Sequence, residues 1–405
     1  MKKFVSTLLA FAMIAVCLVG CGSTASTSST ASDDASASDS SDTIKVGMVG
    51  CYTGEYAMYG LGVRNGAMLY FDELNAAGGI NGKKVEVIAY DNKADNAEAV
   101  NAFTRLVDEG ITVLIGDVLT GNTIAVVGEA YPINMPMVTA SATAEAVTYD
   151  ADSDTVYSNV FRTCFIDPFQ GEKMAEFGAE VLGAKTAAII YETGSDYSIG
   201  LKEAFEAKCE ELGVEIVATE GYATGDKDFK SQMTNIATKN PDIVFCPNYY
   251  EDDGLIVTQA RAAGVTAPFL GGDGWNSVAS YASAADLEGC YYCSSYAPGT
   301  SDAIVAFENA YTEAYGSETL NMFAATAYDA AKVVANALTI AENAGLTAGT
   351  DEYKQAVIDA IRDDSTGVVG ITSESGYAFD EHNNPIKSAA IMRLTDGVET
   401  FDQWF

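Results

Sequence analysis

The chain predicts an α/β fold of two doubly wound parallel-sheet lobes, and three observations carry that prediction. From residue 44 onward, short β-branched runs alternate with amphipathic helical stretches, the rhythm of a parallel sheet covered by helices on both faces. The rhythm stops near Phe161-Arg162-Thr163 and starts again, so one chain holds two similar lobes. Polar clusters follow several strand ends, at 52–59, 117–123, 141–143, 195–197, 248–253 and 273–276. Open α/β sheets take their ligands beyond the carboxyl ends of their strands.

Residues 44–49 read as the first strand. After the loop 50–59, a helix over about 60–76 places Val63, Ala67, Tyr70, Phe71 and Leu74 on one stripe. Gly78-Gly79-Ile80-Asn81-Gly82 is a turn cluster. A strand at 84–91 and a helix at 96–109 follow, the helix with Val100, Phe103, Leu106 and Val107 inward. Residues 111–115 form a buried strand broken by Gly116, and the next helix begins near Ile124. The turn between them, with Thr120, Gly121, Asn122 and Thr123, has the form that holds an anion on free N–H groups and the positive end of a helix dipole. It is equally the form of an ordinary turn capped by Thr120. A short strand at 136–139 runs into Ala140-Ser141-Ala142-Thr143.

In the second half, helices are expected at 170–182, 199–212, 229–238 and 253–263. Strands are expected at 186–191, 214–218, 243–245 and, last in this lobe, 269–271, followed by Gly272-Asp273-Gly274-Trp275. An Ala-rich helix covers 324–341. Residues 368–373 and 389–394 read as late strands, the latter returning to either lobe.

The 405 residues carry 57 acidic and 22 basic side chains, a net charge of −35. Surfaces that bind nucleic acid or anionic lipid need clustered Lys and Arg, so both are excluded. Lys2 and Lys3 precede an apolar stretch, 4–19, that is short for a membrane span. It ends in Leu18-Val19-Gly20-Cys21, which resembles a bacterial lipoprotein signal. That resemblance implies removal of 1–20, a diacylated Cys21 and a flexible tether over 21–43; an uncleaved anchor or an ordinary secretory signal is the other reading. Between 22 and 42 there is almost only Ser, Thr, Ala, Asp and Gly, which bury too little apolar surface to fold.

Six further cysteines, Cys51, Cys164, Cys209, Cys246, Cys290 and Cys293, show no disulfide framework in their spacing. Cys290-Tyr291-Tyr292-Cys293 lacks a second pair, and His382 is the single histidine, so no zinc set and no cofactor is expected. The cysteines read as small buried hydrophobes. No nucleophile–His pair, GxSxG or HExxH is present, and an acid–base couple would have to come from a carboxylate pair such as Asp273 with Asp117. A binding protein, not an enzyme, is expected.

Val46-Gly47-Met48, Thr53-Gly54-Glu55-Tyr56-Ala57-Met58-Tyr59-Gly60, Ala77-Gly78-Gly79-Ile80-Asn81-Gly82, Tyr90-Asp91-Asn92, Gln259-Ala260-Arg261-Ala262-Ala263-Gly264 and Gly272-Asp273-Gly274-Trp275 occur in order. Together they resemble the branched-chain amino-acid-binding proteins of bacterial ABC transporters, a branch of the type I periplasmic binding fold, from about residue 44 to the C-terminus. The resemblance implies a three-strand hinge near 162–163, 297–299 and 378–380. Lobe 1 is then 44–162 plus 300–377, and lobe 2 is 163–297 plus 380–405. It implies that Thr120, with Ser141, Ala142 and Thr143, holds an amino-acid carboxylate. Asp273 takes the α-ammonium, assisted by Tyr249 and a Thr143 oxygen. Tyr59, Tyr197 and Tyr328 wall the side chain, with Trp275 close by.

A zwitterion leaving water needs both charges compensated, in agreement with that pattern. Each residue also has a plainer reading: Asp273 as a turn cap, Tyr328 and Trp275 as packing, and any of the 22 tyrosines as surface or core. The sequence departs from the family where some members carry Glu at the position of Asp273. Leu119 stands where some relatives have a disulfide, and the loop 50–59 is longer at Cys51-Tyr52. The expected function is capture of a small amino acid by a monomer on the outer face of the cell membrane, lipid-anchored at Cys21, for delivery to an ABC permease. Leucine, isoleucine or valine is the first choice of ligand. An aromatic amino acid, an amide or urea follows, and a sensory module shares the same fold.

Overall fold

A computed structural model describes residues 43–405. The expected signal at 1–20, Cys21 and the tether up to residue 42 lie outside the described residues. Thr43, expected to end the tether, already belongs to the first strand.

The first half folds as β1 (Thr43–Gly50), α1 (Ala57–Ala76), β2 (Lys84–Asp91), α2 (Asn96–Asp108), β3 (Val113–Ile115), α3 (Thr120–Ala130) and β4 (Met137–Thr139). A two-stranded hairpin, β5 (Tyr149–Asp150) and β6 (Thr155–Val156), precedes β7 (Val160–Arg162). The sheet order is β2-β1-β3-β4-β7, every neighbour parallel. β3 and β4 are buried along their whole length, as strands covered on both faces must be. The Asp95 side chain caps α2 by accepting the Glu98 N–H.

The second half folds as α4 (Asp167–Glu176), β8 (Thr186–Glu192), α5 (Asp196–Leu212), β9 (Glu215–Tyr222), α6 (Lys230–Lys239), β10 (Ile243–Phe245), α7 (Tyr250–Ala262), β11 (Phe269–Gly271), α8 (Ala284–Leu287) and β12 (Tyr291–Ser294). Then come α9 (Asp302–Tyr315), α10 (Met322–Asn343), α11 (Asp351–Asp364), β13 (Ala390–Thr395) and β14 (Val398–Trp404). The second sheet runs β14-β13-β12-β11-β10-β8-β9. Only its β12–β13 and β13–β14 pairs are antiparallel.

α10 packs on α1 of the first half, and its Ala-rich composition has a steric reason. A Cβ on Gly66 would stand 2.1 Å from the Ala324 carbonyl oxygen, so the two backbones approach as only small residues allow.

Several expectations are corrected. Residues 368–373 form no strand: the Ile371 and Thr372 N–H groups donate to the Asp329 carboxylate at 2.6 and 2.8 Å, which pins them to α10 as a loop. The strand at 269–271 is not the last of its lobe, because β12 continues the sheet across the Cys290-to-Cys293 segment. The strand at 389–394 joins the second sheet. β14 was not foreseen; it alternates exposed and half-buried residues at the sheet edge, so no apolar run marks it. α3, α5 and α7 each begin three or four residues earlier than their apolar periodicity suggests. Those extra N-terminal turns are polar and sit beyond the strand ends. All six described cysteines are buried thiols.

Candidate functional site

The carboxyl ends of β3 and β4 on one lobe meet those of β10 and β11 on the other across a small enclosed cavity. Its lobe 1 wall is Tyr59, Val118, Leu119, Thr120, Ser141 and Phe323; its opposite wall is Tyr197, Tyr249, Asp273 and Gly274.

On the first wall, Thr120 is the first residue of α3, and Leu119 at the N-cap offers no side-chain cap. No side chain therefore caps the first turn of α3, whose leading residues Leu119 and Thr120 line the cavity. Ser141 Oγ donates to the Val118 carbonyl at 2.7 Å, which leaves its lone pairs as acceptors. Thr143 is fully buried and does not line the cavity. Ala142 stands behind the wall: its N–H donates to Thr139 Oγ1 at 3.1 Å, and its carbonyl accepts from Arg162 Nη1 at 3.0 Å.

On the opposite wall, Asp273 follows β11 and is held from three directions. Tyr197 Oη donates to its Oδ1 at 2.9 Å, Gln170 Nε2 donates to the same oxygen at 3.2 Å, and the Asp273 N–H donates to Gln170 Oε1 at 2.7 Å. Oδ2 has no partner. Burial pushes the Asp273 carboxyl up to about 7, against the lowering pull of the Tyr197 and Gln170 hydrogen bonds. Gly274 is required here, since a Cβ would stand 2.3 Å from the Asn248 carbonyl oxygen; its N–H donates to Tyr197 Oη at 2.8 Å.

Aromatic rings line the space between the walls. Tyr197 and Tyr249 stack with centroids 4.9 Å apart, and Tyr249 meets Tyr59 edge-on at 5.8 Å. Tyr59 reaches across the cleft, donating to the Gly274 carbonyl and accepting the Tyr250 N–H at 3.2 Å. Phe323 packs edge-on against Tyr59 at 5.0 Å. The walls nearly touch, leaving a cavity of about 10 Å³, roughly the room of one water. At the mouth, Lys227 Nζ lies 2.7 Å from Glu55 across the cleft and 2.8 Å from Asp252 on its own side. Tyr250 Oη donates to the Glu55 carbonyl at 2.6 Å.

Thus Thr120, Ser141, Tyr59, Tyr197, Tyr249 and Asp273 converge, while Ala142 and Thr143 do not line the cavity and two expected aromatic wall residues lie elsewhere. Tyr328 belongs to the α1–α10 packing: its hydroxyl donates to Glu73 at 2.6 Å, and its ring meets Tyr70 and Phe307 at 5.2 Å. Trp275 is fully buried behind Asp273, its Nε1 donating to the Cys246 carbonyl at 2.7 Å. Asp117 does not line the cavity; it is fully buried and bound by Asn92 Nδ2 at 2.5 Å, so no acid–base couple with Asp273 forms.

Val118, Leu119 and Phe323, which line the cavity, and Gln170, which holds Asp273, were missed. Asp167 and Gln170 stand one helical turn apart at the start of α4, a polar pair on a buried face whose periodicity would have singled it out. Among the described residues, no cluster of His, Cys, Asp and Glu is arranged to hold a metal, and no helix is long and apolar enough to cross a membrane.

Residues 43–399 match the family described as periplasmic binding protein. The Leu/Ile/Val-binding protein BraC3 of Rhizobium johnstonii is 31% identical over 79% of this chain and 83% of its own length. The leucine-, isoleucine-, valine-, threonine- and alanine-binding protein of Pseudomonas aeruginosa is 31% identical over 58% of this chain, which spans 61% of that relative. Among solved structures, the branched-chain amino acid transporter substrate binding protein LivJ from Streptococcus pneumoniae, in complex with isoleucine, superposes with a TM-score of 0.78 at 33% identity. That alignment covers 89% of this chain and 99% of LivJ. The leucine binding protein LivK from Thermotoga maritima gives 0.80 at 29% identity, over 89% of this chain and 98% of its own. The chain therefore belongs to the periplasmic binding protein family, in its type I fold, as an extracytoplasmic solute-binding protein and not an enzyme.

Proposed function

We propose that this protein captures leucine, isoleucine or valine between its lobes and delivers it to an ABC permease while held at the extracellular face of the cell membrane by a lipid on Cys21. One observation carries the reading: the two walls have opposite polarity. Thr120 and the uncapped N-terminus of α3 suit a carboxylate, while Asp273, with a free oxygen on the facing wall, suits an ammonium. An amino acid spans both, and its side chain meets Tyr59, Tyr249, Leu119 and Phe323. The binding specificities named for the relatives support the same ligand class.

Lobe 1 (44–162 plus 300–377) and lobe 2 (163–297 plus 380–405) act as rigid bodies in this reading. A cavity of about 10 Å³ cannot admit an amino acid, so the lobes part about their hinge and the ligand stabilises a closed form around itself.

Thermal shift of the protein, freed of any co-purified ligand and screened against the common amino acids, tests the ligand. At 100-fold its dissociation constant a ligand adds roughly 2.7 kcal/mol, a shift of several degrees. A response to leucine, isoleucine and valine is expected, and no response to any amino acid refutes the reading. Metabolic labelling with palmitate, abolished by Cys21→Ala, tests the anchor. Loss of uptake on gene deletion separates transport from sensing.

A further inference from the structure

A second cavity, of about 440 Å³, lies outside the cleft and shares no lining residue with it. Its size is that of a small-ligand site. The second sheet supplies one wall: Trp404 of β14, Ser295 just after β12 and Lys387 just before β13. The facing wall is Ile304 of α9 and the loop 371–375. α9 packs on α10 through Phe307 and Tyr328, and Asp329 of α10 pins the loop. The walls thus come from different halves of the molecule. They meet at the crossover near 297–299, where Ala297 lines the cavity.

The polar groups on these walls are short of one negative charge. Lys387 is half-buried, and among the described residues its ammonium bonds only neutral oxygens: the Thr372 carbonyl at 3.1 Å, Thr372 Oγ1, and Tyr377 Oη at 3.2 Å. The Asp329 carboxylate lies one hydroxyl further on and is already taken by four donors. These are the Ile371 and Thr372 N–H groups at 2.6 and 2.8 Å and the Thr372 and Tyr377 hydroxyls at 2.7 and 2.8 Å. Burial pushes the Lys387 ammonium down to about 8, against the raising pull of Asp329. Ser295 is 3% exposed, and its Oγ has no hydrogen-bond partner. Around these groups the surface is apolar: Ile304 is buried, while Trp404 and Ile386 at the rim are 51% and 75% exposed. Glu374 on the loop is exposed and disfavours a second negative charge.

We propose that this cavity is a second binding site, for a small monocarboxylate with an aliphatic body. The carboxylate takes Lys387 in place of the long Tyr377 bond and accepts from Ser295 Oγ, while Tyr377 keeps its bond to Asp329. The aliphatic body lies against Ile304, Ile386 and Trp404. A charge-assisted pair then replaces a neutral contact at the ammonium, and the apolar rim is covered. Occupancy also couples to the cleft, a part of the inference that rests on the lobe motion proposed above. The cavity has this shape while the cleft walls nearly touch. An occupant that fits it therefore favours the closed arrangement and tightens amino-acid binding.

Calorimetric titration with isocaproate, which is leucine without its amino group, tests the site in protein whose cleft is filled with leucine. One-to-one binding is expected, weakened tenfold or more by Lys387→Met, the worth of a hydrogen bond to a charged group. Ile386→Glu, which sets a carboxylate at an exposed rim position, should weaken it as well and decides the matter should Lys387→Met fail to fold. Inorganic phosphate, which has no apolar body, should not bind; phosphate that binds as tightly as isocaproate overturns the ligand class. Isocaproate that binds only when leucine is absent occupies the cleft and overturns the inference. So does the absence of binding, or binding that either folded variant leaves unchanged. Leucine affinity should rise severalfold in saturating isocaproate, and an unchanged affinity overturns the coupling. If leucine itself does not bind, the proposed function fails, and the two variants still decide the cavity.

Discussion

Asp273→Asn separates a ligand-binding charge from a structural one. The substitution keeps the side chain's shape and its acceptor toward Tyr197 and Gln170, and removes only the charge on an acid that is 2% exposed. In the complex, the ammonium loses its partner in a dry site. Breaking one half of a buried ion pair costs on the order of 3–5 kcal/mol, and at 1.4 kcal/mol per tenfold that weakens leucine binding roughly a hundred- to several-thousand-fold. The unliganded protein should respond oppositely. With no cation beside it, the Asp273 carboxylate is a desolvation penalty, visible in a carboxyl pushed up to about 7, and a neutral amide relieves it. Calorimetry gives the affinity, and a melting curve at neutral pH gives the unliganded stability. A variant that binds leucine within about threefold of wild type, under 1 kcal/mol, refutes the ammonium assignment. A variant that melts well below wild type without ligand refutes the claim that the charge serves binding and not folding.

The remaining predictions concern the rest of the site. Lys227 and Glu55 bridge the mouth but are 42% and 40% exposed, so Lys227→Met or Glu55→Gln should weaken leucine binding by about 1 kcal/mol or less at low salt and by nothing measurable at high salt; a large, salt-independent loss contradicts a solvent-screened latch. Tyr328→Phe should leave leucine affinity unchanged, because that hydroxyl serves Glu73 on α1; weakened binding would return it to the site. Asp117 and Asp273 are both held up to about 7 by burial, above the ~3.9 of an unfolded Asp. The folded state therefore binds more protons than the unfolded one between those values, and the unliganded melting temperature should fall as pH rises from about 5 to about 7.5. Asp117→Asn should flatten that fall, and a profile that rises with pH contradicts the assignment.

Much of this architecture is legible in the chain because the signals are local. β1, β2, β3 and β10 announce themselves as β-branched runs. Thr120 and Asp273 are legible because ligands of a parallel sheet lie just past its strand ends. The positions of the helix starts were less legible: the polar first turns of α3, α5 and α7 carry no apolar periodicity, yet those turns border the cleft.

What the sequence by itself determined is the alternation of strand and helix, the division into two lobes and the polar character of the loops between them. These follow from hydrophobic period and turn chemistry, which act over a few residues. Tertiary structure alone decided which distant segments meet. It set Tyr328 against Tyr70 and Glu73 instead of in the cleft, brought Phe323 and Tyr59 together across 264 positions of chain, and placed Gln170 of α4 against Asp273. It also gave β13 and β14 to the second sheet. The physical reason is that periodicity records that a face is buried, but not against what. The partner is chosen by packing volume and hydrogen-bond completion between elements far apart in the chain.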